Sequence, residues 1–199
     1  MSPSKNPILL CALFLVLSLS GAAAQTAKPA AAPAVPSAES VVQSYMETMK
    51  AGDFQKSAEL MHSEALEKFR TLLLPLVEAA EKAKAEESLL SLFKGVPDLA
   101  ALKKLSAAGF FASFFGGLTE ANPTIKDALA SGSITVIGSV PEGETLHVVC
   151  RTSAAAEGIS VVKMEVMSLK RDAGNWRVLL SGEMEGLAQA LSKSMSGGT

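Results

Sequence analysis

The stretch Ile159–Leu180, ISVVKMEVMSLKRDAGNWRVLL, decides how the second half of the chain folds. Residues 159–171 alternate with period two. Val162, Met164 and Val166 fall on one face, Lys163 and Glu165 on the other, which predicts a long β-strand. Asp172-Ala173-Gly174-Asn175 supplies turn chemistry, and Trp176–Leu180 returns as a second strand, so the whole reads as a β-hairpin. Upstream, SITVIGSV (133–140) and TLHVVCRT (145–152) are two more strands. Pro141-Glu142-Gly143 is the expected turn between them, and Ser153–Gly158, rich in small residues, is the expected loop before Ile159. Downstream, GEMEGLAQALSK (182–193) predicts a short amphipathic helix, and residues 194–199 a flexible tail. Four strands joined by short connections predict an antiparallel meander. One of its faces must be covered by the helices that precede it, which makes the fold class α+β.

Those helices are legible from their periods and caps. Val41, Val42, Tyr45, Met46 and Met49 share one helical face, with Ser37 as N-cap and Gly52 as stop. Asp53 caps the next helix, FQKSAELM. His62-Ser63 breaks that one, with Ser63 available to cap a third, in which Leu66, Phe69, Leu72, Leu73 and Leu76 repeat at three and four. Pro75 predicts a kink or a fresh start inside it, and EAAEKAKAEESLLSLF continues as helix. In PDLAALKKLSAAGFFASFFGGL the apolar stripe changes face around Ser106–Gly109. Phe110, Phe111, Phe114 and Phe115 therefore belong to a second stripe, with Gly116-Gly117 expected to end the helix. A paired phenylalanine face at this spacing is core, pocket wall or partner surface, and the expectation here is burial against the sheet. The run is too short to cross a bilayer, which takes about 20 apolar residues.

The start of the chain is a different kind of segment. Residues 1–24 combine Lys5, an apolar run from Ile8 to Leu19 and the small residues Ala22-Ala23-Ala24, the pattern of a cleaved signal peptide. Cys11 lies too early and follows Leu10, not a small residue, so a lipoprotein signal does not fit. Residues 25–36, QTAKPAAAPAVP, are an Ala/Pro tract expected to be a disordered linker. A single domain over 37–193 follows. The expected localisation is therefore periplasmic or secreted, with no stable membrane span after cleavage. With Cys11 removed, Cys150 is alone, cannot form an internal disulfide and is expected to be buried. A formal charge of −2 with scattered basic residues leaves no footprint for nucleic acid.

Two segments together carry a family resemblance. VVQSYMETMKAGDFQKSAELMHSEALEKF (41–69) resembles the opening helices of NTF2-like (nuclear transport factor 2-like) domains, and MEVMSLKRDAGNWRVLLS (164–181) resembles their closing hairpin. The resemblance spans roughly 38–70 and 133–181, and 71–130 is a longer helical insertion than a minimal member carries. It implies helices packed into a curved antiparallel sheet, often around an apolar pocket, for which Tyr45, Phe110, Phe111, Phe114, Phe115, Met164 and Trp176 are lining candidates. Trp176 is expected to be largely buried against the first helix.

Enzymes of that family work with titratable groups inside the pocket. His147 is the best match, with Glu144 or Glu165 as a nearby carboxylate that would let it act as a general base. Hairpin register decides whether it faces in or out. His62 reads as a surface or capping residue. No metal site, no cofactor fingerprint and no nucleophile motif is present in the sequence. Three functions stay open. The first, favoured, is an exported non-catalytic module that binds a small apolar ligand or a protein partner. The others are an isomerase- or dehydratase-like enzyme using His147, and a structural domain that dimerises, as a homodimer, through its sheet.

Overall fold

A computed structural model describes residues 35–196, which lie within one compact unit. The segment read as a signal (1–24), residues 25–34 of the Ala/Pro tract and 197–199 of the tail fall outside the described residues. Ser37 accepts a hydrogen bond from Ser40 N and starts α1 (Ala38–Ala51), which Gly52 ends at φ 71°. A left-handed residue there costs glycine nothing. Asp53 caps α2 (Phe54–Glu59) by accepting from Lys56 N.

The cap of α3 (Ser63–Ala83) is His62, not Ser63. Its Nδ1 accepts from Glu64 N at 3.2 Å, and the ring is buried. A second acceptor comes from far away, since Asp172 Oδ2 takes the Ser63 N–H at 3.0 Å. That bond holds the Asp172 carboxyl below the usual range. α3 does not restart at Pro75. The proline is solvent-facing, so the Thr71 carbonyl it deprives of a donor can turn to water. The helix stops instead at Lys84, φ 55°, and α4 (Glu86–Leu90) is separate.

The stripe change at Ser106–Gly109 is a break between two helices, α5 (Leu99–Lys104) and α6 (Ala107–Ala121), with Ser106 capping the latter. Gly116-Gly117 does not end α6. The helix runs on to Ala121, and Asn122 caps α7 (Pro123–Ala130). The glycines serve packing. A Cβ on Gly117 would overlap the Leu92 carbonyl and sit 2.7 Å from Phe93 N. Lys94 N donates to Ser113 O at 2.9 Å, and Ser113 Oγ donates to Lys94 O at 2.8 Å. The backbone of 92–94 thus lies directly against α6, an approach only glycine permits.

The sheet is an antiparallel meander in the order β1-β2-β3-β4, with β1 Ser133–Glu142, β2 Thr145–Ala156, β3 Ile159–Asp172 and β4 Asn175–Val178. The small-residue segment Ser153–Ala156 is strand, not loop, and pairs with Ile159–Val162. The turn is only Glu157-Gly158, both left-handed at φ 52° and 78°, and Ala173-Gly174 repeats that geometry at 47° and 84°. Two left-handed central residues match the twist of the flanking strands. The first hairpin turns at Gly143-Glu144, where only Gly143 is left-handed, at φ 58°, because Glu142 still pairs with Thr145. Pro141 is tolerated because β1 is an edge strand.

A helix, α8 (Gly182–Ser196), follows the meander and packs on α3, where Lys68 Nζ meets Glu185 at 2.6 Å. The inner sheet face, with Val148, Cys150, Leu169 and Val178 buried, is covered by α1 and α7. α2, α3 and α6 form a further helical tier. The two tiers are tied by a parallel bridge in which His62 N donates to Val178 O and Val178 N to Leu60 O, each at 2.9 Å.

Candidate functional site

Register fixes the facing of His147. Val148, Cys150 and Thr152 are buried while Arg151 is exposed, so the alternate set His147, Val149 and Arg151 lies on the outer face. Across the ladder, His147 stands opposite Val140 and Ser168, Val149 opposite Gly138 and Val166, and Arg151 opposite Thr135 and Met164. The outer face is therefore apolar along its middle. Val140, Val162, Met164 and Val166 are 58%, 63%, 56% and 54% exposed. Ile137, thrown out by a bulge between Val136 and Gly138, is exposed as well. Met164 thus sits on the open surface, not in a pocket. None of the described helices covers this face.

His147 sits at one end of that strip in a line of hydrogen bonds. Its Nδ1 lies 2.8 Å from Ser168 Oγ and its Nε2 2.8 Å from Glu142 Oε2. The partner carboxylate is Glu142, one strand over, and not Glu144 or Glu165. Those two bind Lys170 at 3.4 Å and Lys163 at 2.8 Å. At the other end Arg151 is exposed and has no ion-pair or hydrogen-bond partner among the described residues. The face thus carries a free cation at one end and a solvent-facing carboxylate, Glu142, at the other.

The remaining candidates lie inside. Phe110, Phe111, Phe114 and Phe115 are buried in the helical tier, not against the sheet. They pack on Phe54, Phe69 and Phe93 at centroid distances of 4.9–5.9 Å. Tyr45 is buried on α1, and burial pushes its phenol pKa up. Trp176 is only half-buried, at the start of the edge strand β4 next to the Ala173-Gly174 turn, and its ring is capped by Arg171, Cζ 4.4 Å from the centroid. Cys150 is free and buried, its thiol pushed up to about 11 by desolvation and by the neighbouring Glu165 carboxylate.

Two concavities flank this core. An open groove of about 840 Å³ runs between the end of α1, α2, α6 and α7. Its rim mixes Lys50, Lys94 and Lys126 with Asp53, Glu120 and Asp127, so its charges balance. A smaller cavity of about 210 Å³ lies on the inner sheet side beside Met46, Leu129, Thr152 and Val161. Lys163 is held there between Glu165 and Glu183, which raises the lysine's pKa. Thr152 Oγ1 is buried without a hydrogen-bond partner. A buried hydroxyl with no partner is a net cost. Thr152→Val is therefore expected to raise stability by about 1 kcal/mol in denaturant titration. A loss of similar size would show that the hydroxyl is bonded in solution.

No family model matches the chain, and no curated protein or solved structure matches it. What the fold itself establishes is α+β, with helices packed against a four-stranded antiparallel meander. Among the described residues no helix is long and apolar enough to cross a membrane.

Proposed function

We propose that the protein is an exported, non-catalytic binding module of NTF2-like type, acting in the periplasm or outside the cell, and that it holds a protein surface on the outer face of its sheet. The observation that carries this is the exposed strip of Val140, Val162, Met164 and Val166. Single exposed apolar residues are ordinary, but a contiguous patch across neighbouring strands marks an interaction surface. The N-terminal signal pattern supports export.

A protein fits this face better than a small apolar ligand does. Small-molecule sites are concave and enclose most of the ligand. Here the core facing the sheet is packed with side chains, and the large groove is open with a mixed-charge rim. The Ser168–His147–Glu142 line is the one feature that favours the enzyme reading. It lies on the outer face of the sheet with the Glu142 carboxylate open to solvent, where nothing would exclude water from a reacting group.

A photo-crosslinking residue in place of Met164 tests the proposal in cells that export the chain. A covalent adduct to a protein is expected from position 164, and none from a control at Gln189, on the exposed side of α8. No adduct from 164, or from further probes at 140 and 166, would reject protein docking on this face.

A further inference from the structure

The partner's way of binding follows from the backbone of β3. Resting on the docking reading above, we infer that it enters by strand addition, an extended segment of another protein pairing with the free edge of β3 over Ser160–Val166. Every second residue of that segment is apolar, and those between include Lys or Arg.

The ladder defines the edge. β4 pairs with β3 only from Leu169 to Asp172, and the Leu179 N–H donating to Ser168 O at 2.8 Å is the last backbone bond on that side. Backbone groups alternate in direction along a strand, so the N–H and C=O of Ser160, Val162, Met164 and Val166 point the same way as those of Ser168. The hairpin at Glu157-Gly158 gives the same phase. Ile159 closes it on Ala156, which turns the groups of Ile159, Val161, Lys163 and Glu165 toward β2. Among the described residues no hydrogen bond reaches Ser160, Val162, Met164 or Val166 from the open side. An unpaired edge of this kind is a template for another strand.

The usual guards are missing from it. β1, the opposite edge of the sheet, has Pro141 and the bulge at Val136/Gly138. β3 has neither, and its register with β2 is unbroken from Ile159 to Lys170. A lysine often protects an edge, but Lys163 is held on the inner side by Glu165 and Glu183, at 2.8 and 2.7 Å.

The two faces of the edge select the occupant. Residues paired with Val162, Met164 and Val166 share the outer face with them, and apolar ones there widen the exposed strip. On the inner side two carboxylates, Glu165 and Glu183, stand against the one ammonium of Lys163. That surplus of negative charge favours a cationic residue in the added strand and opposes a second copy, which would bring the same surplus to the same place. The chain's own residues 25–34 contain Pro29 and Pro33, which cannot donate to a ladder.

Amide hydrogen exchange followed by NMR on the purified, isotope-labelled exported chain reads this out, with the end-capped peptide TVKVTVKVT as probe. In the free chain the amides of Val162, Met164 and Val166 should exchange at least tenfold faster than those of Val161, Lys163 and Glu165. The peptide should slow the first set at least tenfold. Val162→Pro should abolish that slowing with little change in melting temperature, because the lost N–H faces the open edge and not β2. The peptide N-methylated on its valines should not bind, whereas the one N-methylated on the residues between them should. This second comparison needs no variant of the protein, so it decides even if Val162→Pro fails to fold. No slowing at high micromolar peptide overturns the inference, as does equal slowing by both methylated peptides. Slowing that rises with chain concentration alone also overturns it and assigns the edge to a second copy. The adduct at position 164 separates this from the docking reading. Loss of the adduct in Val162→Pro supports strand addition, whereas an adduct that persists there leaves docking on the face in place and rejects strand addition. With no adduct in either chain the docking reading fails, and the peptide-induced protection decides the edge by itself.

Discussion

Phe69→Ala is expected to cost about 3–5 kcal/mol, the largest loss from any single truncation in this chain. Phe69 is fully buried on α3 and is the point where the phenylalanines of α6 converge. Its ring meets Phe111 and Phe114 edge-on at 5.4 and 5.5 Å, and lies nearly parallel to Phe115 at 5.9 Å. Truncation removes the transfer free energy of the ring. It also leaves a cavity between two helices whose backbones are fixed elsewhere, α3 by its caps to the β3–β4 hairpin and α6 by the 92–94 segment. Edge-to-face contacts, worth about 0.5–1.5 kcal/mol each beyond area, are lost as well. For a domain of this size the melting temperature should fall by about 6–20 °C. A fall of less than about 3 °C would mean that the helical tier does not unfold with the sheet.

Gly117→Ala gives the second large effect, and its sign is the test. Glycine to alanine inside a helix ordinarily stabilises by about 0.5–1 kcal/mol. At Gly117 the new methyl would collide with the Leu92 carbonyl, a backbone atom held in place by the Lys94–Ser113 hydrogen bonds. Separating α6 from that segment should cost about 2–4 kcal/mol, in the range of overpacked cores or above it. Gly186 is the internal control. It is a helical glycine in α8 with open space around it, so Gly186→Ala should stabilise by about 0.5–1 kcal/mol. Opposite signs at the two glycines, measured by denaturant unfolding, are the expected result. The same sign at both would mean that 92–94 is not packed on α6.

Much of this architecture is written locally in the sequence. Ser37, Gly52, Asp53, Ser106 and Asn122 act where their residue types predict, because a cap needs only a short polar side chain or a left-handed backbone within one turn. The four strands, their order as a meander and the α+β class follow from period-two alternation and turn residues, which are equally local.

What only the tertiary structure decided is which surfaces meet. Gly116-Gly117 has the composition of a helix stop and is instead a contact point, since the segment that needs the space lies more than twenty residues earlier. Ser153–Ala156 looks like a loop and is strand, because β3 offers it a ladder as far as Ile159. His62 caps α3 in place of Ser63 because the Leu60–His62 segment is bound to β4. The facing of the sheet is the most consequential case. Alternation shows that Val162, Met164 and Val166 share a side, but not which side the helices will cover. The mixed set that alternates with it faces the helices, with Leu169 buried and Met167 partly buried, because Leu169 and the β2 residues Val148 and Cys150 must be buried under α1; Val161 and Lys163, on the same side, lie beyond that cover and are exposed. The more uniformly apolar set is left outside. A period of two divides a strand into two faces. Only the long-range packing of helices on the sheet assigns one face to the core and leaves the other exposed.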